Sequence, residues 1–300
     1  MLKTFPNFSD LSIEDKNEIE RITNQFSPYS DFNFVSLWCY DLSDKTGLSI
    51  LNNNLVIRME DYTTADIFYM FIGKNKVEET IKELFEFLKQ NNLPQELYLL
   101  PEEMLADCID RLKQKYKVEE DRDNFDYIIN VDNIAKMEGS ALHQKKKLLN
   151  KFLKNQTPNV RIVNLSDTNI KNEILSFFDL WKKNKGKYNS KNEEVALNNL
   201  FKGLIDQSNI YVLLAEYRNQ VIGFSIFEIL ENGYAVGDFQ KGDVKYKGIY
   251  EFLNYSIAKF LKEKKCKYYN IEQDLGIEGL RRAKLDYDPI FLKKYTIKNV

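Results

Sequence analysis

Glu272, Gln273 and Asp274 stand in a row at the end of a strand-like stretch, 268–271, and Gly276, Gly279, Arg281, Arg282 and Lys284 follow them. Carboxylate and amide groups that close a buried strand project around the open end of a sheet, where ligands of α/β proteins sit. There Glu272 or Asp274 can take a proton from an attacking amine, provided burial tunes its acidity. A structural reading of the same residues stays open. Asp274 can cap the helix that follows, and Glu278 can pair with Arg281 and Arg282 at i+3 and i+4. Gly276 and Gly279 weigh against a purely structural helix, because each costs ~1 kcal/mol relative to Ala inside one.

A second segment, 238–250, reads as a strand, a short polar loop and the start of an amphipathic helix. Free N–H groups at a helix start and the helix dipole both favour an anion. Lys245, Lys247 and Gly248, together with Arg281, Arg282 and Lys284, are therefore candidate residues for binding the phosphates of a donor. The alternative is an ordinary solvated turn. Tyr246, beside this loop, could serve as a general acid that protonates a leaving thiolate or hydroxyl. A third feature is a basic helix face on which Lys147, Lys151 and Lys154 fall at i, i+4 and i+7, with His143 one turn earlier. Lys147 and Lys151 are candidate contacts for a polyanion: the phosphates of a tRNA, a lipid headgroup or CoA. A solvated face is the competing reading, since point charges without interleaved aromatics supply salt-dependent attraction but not recognition.

Composition removes other chemistries. His143 is the only histidine, so Ser-His-Asp and Cys-His nucleophile systems and a His-rich metal centre are excluded unless it serves alone. Cys39, Cys108 and Cys266 are odd in number and far apart, as buried thiols would be, so no metal site is expected. The formal net charge of -2 leaves any polyanion site to a local patch. The charged start of the chain with Pro6 does not read as a signal peptide, and no stretch approaches the ~20 apolar residues of a membrane span. The expectation is a cytoplasmic protein with no transmembrane segment and no tightly bound cofactor.

The elements that must position these residues alternate between strands and helices. Strands are predicted at 48–52, 54–59 and 67–72, the first two joined by a turn of Asn residues. An amphipathic helix follows from Val77, with Asn75 as its N-cap. A strand at 97–100, a helix over 105–116 and a strand at 125–131 complete the first half. The connector, 132–155, reads as one helix. The second half repeats the order: a strand at 161–165, helices over 174–181 and 197–205, and strands at 210–217, 221–229 and 234–240. A helix from Ile249, a strand at 268–271, a helix over 275–285 and a last strand at 291–297 close the chain. The 300 residues suit two domains, divided as 1–131 and 132–300.

The run Glu272-Gln273-Asp274-Leu275-Gly276-Ile277-Glu278-Gly279-Leu280-Arg281-Arg282-Ala283-Lys284, with Tyr287, Pro289 and Lys293-Lys294-Tyr295, resembles a bacterial family related to the C-terminal domain of phosphatidylglycerol lysyltransferase. Tyr29-Ser30-Asp31-Phe32-Asn33-Phe34 with Trp38, and 145–152, support the resemblance. It implies an α/β (α+β) protein of two tandem GNAT-like domains, with mixed sheets flanked by helices, as in FemABX-type aminoacyltransferases. It also implies transfer of an acyl or aminoacyl group to an amine or hydroxyl of a small molecule or lipid headgroup. Aminoacyl-tRNA is the leading co-substrate and acetyl-CoA the alternative. A non-catalytic binding module of the same fold is the rival from another class.

Overall fold

The computed structural model describes residues 2–61, 64–167, 169–185 and 191–299. The chain divides into two compact units: Met1–Phe125 with Asn192–Leu200 and Leu292–Val300, and Asp126–Lys191 with Phe201–Phe291.

The N-terminal segment forms β1 (Lys3–Thr4), β2 (Ser9–Asp10), α1 (Lys16–Thr23) and α2 (Phe34–Cys39). A meander follows: β3 (Gly47–Leu51), β4 (Asn54–Glu60) and β5 (Ile67–Ile72). Asn52 and Asn53 both adopt positive φ, the tight hairpin turn expected of them, and Leu51 pairs with Asn54 across it. Then come α3 (Val77–Gln90), β6 (Glu96–Pro101), α4 (Glu102–Leu105), α5 (Ile109–Lys113) and β7 (Lys117–Glu120). Asn75 does not cap α3. Lys76 occupies the N-cap in the left-handed region without a side-chain bond, and buried Asn54 holds the entrance by bonding Asn75 and Thr80.

The rest of the chain forms β8 (Asp126–Asn130), α6 (Val131–Lys136), α7 (His143–Asn155), β9 (Asn159–Asn164), α8 (Ile170–Lys185) and α9 (Lys191–Gly203). It continues through β10 (Ile210–Tyr217), β11 (Gln220–Ile229), β12 (Tyr234–Gly242), α10 (Ile249–Glu263), β13 (Tyr268–Asn270), α11 (Glu278–Leu285), β14 (Ile290–Leu292) and β15 (Lys294–Lys298). The connector is two helices, not one. Met137 at φ 51 ends α6, and Met137 and Leu142 turn into the core before α7 begins. The expected helix over 105–116 is likewise split, into α4 and α5 on either side of Cys108.

The first sheet has the order β1-β3-β4-β5-β6-β15-β7, with β2 also on β3, and the second β14-β8-β13-β12-β11-β10-β9. Strand placement departs from a division at residue 131. β8 lies in the second sheet, and the stretch read as one last strand is two, β14 in the second sheet and β15 in the first. β8 and β15 are each buried along four of five residues, a pattern that demands neighbours on both edges and cover on both faces. In the second unit, adjacent residues of β11 show the two layers. A Cβ on Gly223 would touch Leu253 of α10, while Phe224 packs edge-on against Phe177 of α8.

Candidate functional site

β12 and β13 are parallel neighbours that pair over three residues only: Tyr234 with Tyr268, Ala235 with Tyr269 and Val236 with Asn270. β12 then runs on to Gly242 against β11, while the chain after Asn270 follows β8, Ile271 N–H donating to the Tyr127 carbonyl and Tyr127 N–H to that of Glu272. The sheet therefore opens at the carboxyl end of β13, alongside the continuing β12. At this fork β12 carries a bulge. Ile226 faces Phe239 and Phe227 faces Gly237, which leaves Asp238 as the extra residue. Gly237 is required here, because a Cβ would stand 2.4 Å from the Tyr269 hydroxyl oxygen.

One side of the opening is the turn 271–277. Glu272 is half-buried in the left-handed region at φ 58, and its N–H donates to Asn270 Oδ1 at 2.7 Å. Asp274 is fully buried. Its carboxylate accepts from Tyr127 Oη, from Arg281 Nε at 2.9 Å and Nη2 at 2.7 Å, and from Gly276 N–H at 2.9 Å. Burial opposes its charge, but the Arg281 guanidinium, the Tyr127 hydroxyl and the Gly276 N–H together hold its pKa at about 2. Lys284 donates to the carbonyls of Ile271 and Gln273 and so ties α11 to the same turn. Of the candidates on this segment, Asp274, Arg281 and Lys284 brace the turn, and Glu272 is half-buried on it. Arg282 is exposed.

The helix predicted over 275–285 begins only at Glu278. Leu275 and Gly276 form a left-handed turn instead, which accounts for Gly276 without a ligand. Around Gly279 an added Cβ would meet nothing within 4 Å, so close approach does not explain that glycine.

The loop after β12 differs from a phosphate cradle. Gly248, at φ 102, is backed by α7: a Cβ would lie 2.7 Å from the Leu148 carbonyl oxygen and 2.9 Å from Phe152 Cβ. Its positive φ and the packing of α7 account for this glycine. The first turn of α10 already holds an anion, Glu251, which is paired with buried Lys145 at 3.2 Å. Lys245 pairs with Asp243 at 2.8 Å and lies over the Tyr246 ring, while Lys247 is exposed. Tyr246 stands edge-on to Tyr217 of β10, on the side of β12 away from β13. That placement removes it from the opening and from the general-acid role expected of it.

Lys147, Lys151, Lys154 and His143 are all exposed on α7, whereas Lys145 turns inward to Glu251 and over the Tyr287 ring at 4.6 Å. A buried polar relay also escaped the sequence reading. Gln240 Nε2 donates to Ser225 Oγ (3.0 Å) and Asn254 Oδ1 (2.8 Å), and Asn254 Nδ2 donates to Tyr287 Oη (2.9 Å). Nothing local marks these residues, since their partners come from three separate elements. Asp238 did carry a signal: Gly-Asp inside an apolar strand is the composition of a bulge. Among the described residues no group of three His, Cys, Asp or Glu is spaced to hold a metal, and no helix is long and apolar enough to cross a membrane.

An antiparallel meander, a crossover helix, a parallel strand that parts from its neighbour and closing strands, present in two mixed sheets, define a GNAT-like acyltransferase fold. Residues 24–298 match the family described as phosphatidylglycerol lysyltransferase, C-terminal, and the chain belongs to that family. An uncharacterized protein of Mycoplasmoides gallisepticum is 26% identical over 191 residues, 62% of this chain, and the match spans 60% of that protein's length. A conserved protein of unknown function from Bacteroides thetaiotaomicron superposes with a TM-score of 0.85 at 22% identity, over 98% of this chain and 99% of the other. L-PGS from Bacillus licheniformis gives 0.64 at 14% identity, over 95% and 92%. Both structural likenesses speak to the fold.

Proposed function

We propose that this protein transfers an aminoacyl group from aminoacyl-tRNA to an amine or hydroxyl of a small molecule or lipid headgroup. The observation that carries the reading is the fork between β12 and β13, where β13 ends and its chain parts from β12 with Glu272 two residues beyond the last pair. Ligands of α/β sheets collect at such carboxyl ends. In this reading the acceptor's nitrogen or oxygen attacks the carbonyl of the aminoacyl ester, Glu272 takes its proton, the bond to the tRNA oxygen breaks, and Glu272 returns the proton to that oxygen, which leaves as the hydroxyl. Asp274 is the anchor of the turn, because a carboxylate held at about 2 by Arg281 and Tyr127 is too weak a base at neutral pH. Exposed Lys147, Lys151 and Lys154 supply attraction for a polyanion. Acyl-CoA is the weaker donor, since the start of α10 is backed by α7 and already carries Glu251.

Filter retention of charged and uncharged tRNA pools at two salt concentrations, with calorimetry for acetyl-CoA, tests the donor. Preference for charged tRNA is expected. Acetyl-CoA binding alone would replace the donor, and silence with both would remove the transferase reading.

A further inference from the structure

α11 is inverted relative to an ordinary surface helix. No residue of it is buried, and its two half-buried side chains are the cations Arg281 and Lys284, which tie it to the turn 271–277 through Asp274 and the carbonyls of Ile271 and Gln273. A surface helix normally turns its apolar stripe to the core and its charges to water. Here the apolar side chains stay in water. Leu275, Ile277, Leu280, Leu285 and Ile290, on the helix and its two flanks, are exposed by 36% to 61%. They make up more than half of the large apolar side chains exposed among the described residues. Single exposed apolar residues need no explanation, but such a concentration marks an interface.

Two further features of α11 identify what covers it. Glu278 and Arg282 lie at i, i+4, a spacing at which opposite charges normally pair along a helix, yet both are exposed and neither makes an ion pair among the described residues. Gly279 lies between them, and a Cβ there would meet nothing within 4 Å, although glycine inside a helix costs ~1 kcal/mol relative to Ala. A backbone approaching from outside gives that glycine a purpose. The pattern is self-complementary. With two copies of α11 antiparallel across a two-fold axis near Leu280, Glu278 of each faces Arg282 of the partner subunit, the two Leu280 side chains meet, and Gly279 admits the close approach. An exposed ion pair contributes little, so the apolar side chains supply the association and the charges set its register. We propose that α11 is a homodimer interface, packed antiparallel on α11 of a second copy of this chain. The interface adjoins the turn that α11 braces, and it does not depend on the transfer reaction.

Sedimentation velocity of the full chain across micromolar concentrations tests it. Wild type is expected to dimerise. Glu278→Arg and Arg282→Glu should each weaken the dimer about tenfold or more, because each sets like charges opposite one another, while an equimolar mixture of the two variants should recover association as a heterodimer. Leu280→Glu should leave a monomer with an unchanged melting temperature. Should any of these fail to fold, Glu278→Gln, Arg282→Gln and Leu280→Ser replace them, with smaller losses in the same direction. A wild type that stays monomeric, a dimer undiminished in the folded variants, or a mixture that does not recover association overturns the interface. A monomeric wild type retained on phosphatidylcholine vesicles, with retention lost in Leu280→Glu, would give the face to a lipid surface instead.

Discussion

Asp274 and Asp238 are buried aspartates of one unit whose surroundings drive their proton affinities in opposite directions. Asp274 is braced by Arg281 and Tyr127, and its folded-state pKa of about 2 lies below that of an unfolded aspartate. Its contribution is therefore complete above about pH 4 and is lost as the pH falls through 2, and the shift corresponds to about 2 kcal/mol. Urea unfolding of wild type and Asp274→Asn at pH 6, 4 and 2 checks this: the wild type is more stable at pH 6 and the two converge at pH 2. A constant difference across that range would show that the carboxylate's charge contributes nothing. The cluster of acids at 272–274 was visible in sequence, but the division of labour within it was not. Asp274 is fixed by a tyrosine 147 residues away, and Asp238 acquires its isolation from a bulge that no side-chain periodicity encodes.

At the scale of elements, strands and the long amphipathic helices were legible because burial imposes their period of 2 or 3.6 on the residues themselves. Breaks were not. The connector keeps a helical pattern of apolar residues across 132–155, yet Met137 and Leu142 gain more by entering the core than by extending a helix, and α7 starts afresh at His143. This restart divides the lysines. Lys145 is spent on Glu251, while Lys147 and Lys151 remain on the outer face. The double variant Lys147→Ala/Lys151→Ala should fold as wild type, bind tRNA more weakly, and show a salt dependence of log K shallower by about 2. An unchanged slope would move the polyanion contact elsewhere. Gly248 shows the complementary failure: a glycine at a helix start reads as a phosphate cradle in sequence, but its positive φ and the packing of α7 against it account for the glycine.

Across the whole molecule, the most consequential feature is the reciprocal placement of β8 and β15, each completing the sheet that the rest of its own half does not build. Element order alone suggested a cut at residue 131, because the order of strands along the chain does not reveal which sheet a closing strand joins. β15 sits between β6 and β7, antiparallel to both, so a fragment of residues 1–131 has an interrupted sheet. Such a fragment should lack a cooperative unfolding transition by circular dichroism, whereas the full chain should show one; a cooperatively folded fragment would contradict the dependence on β15. The same topology brings the turn 271–277, braced by Asp274, to the edge of β12, and the account of function depends on that fork. The most direct test is a single-turnover assay of aminoacyl transfer from charged tRNA to lipid or amine acceptors, comparing wild type with Glu272→Gln. The account predicts transfer by the wild type and a loss of ~100-fold or more in the variant at an unchanged melting temperature. No transfer by the wild type, or equal rates in both, would contradict it.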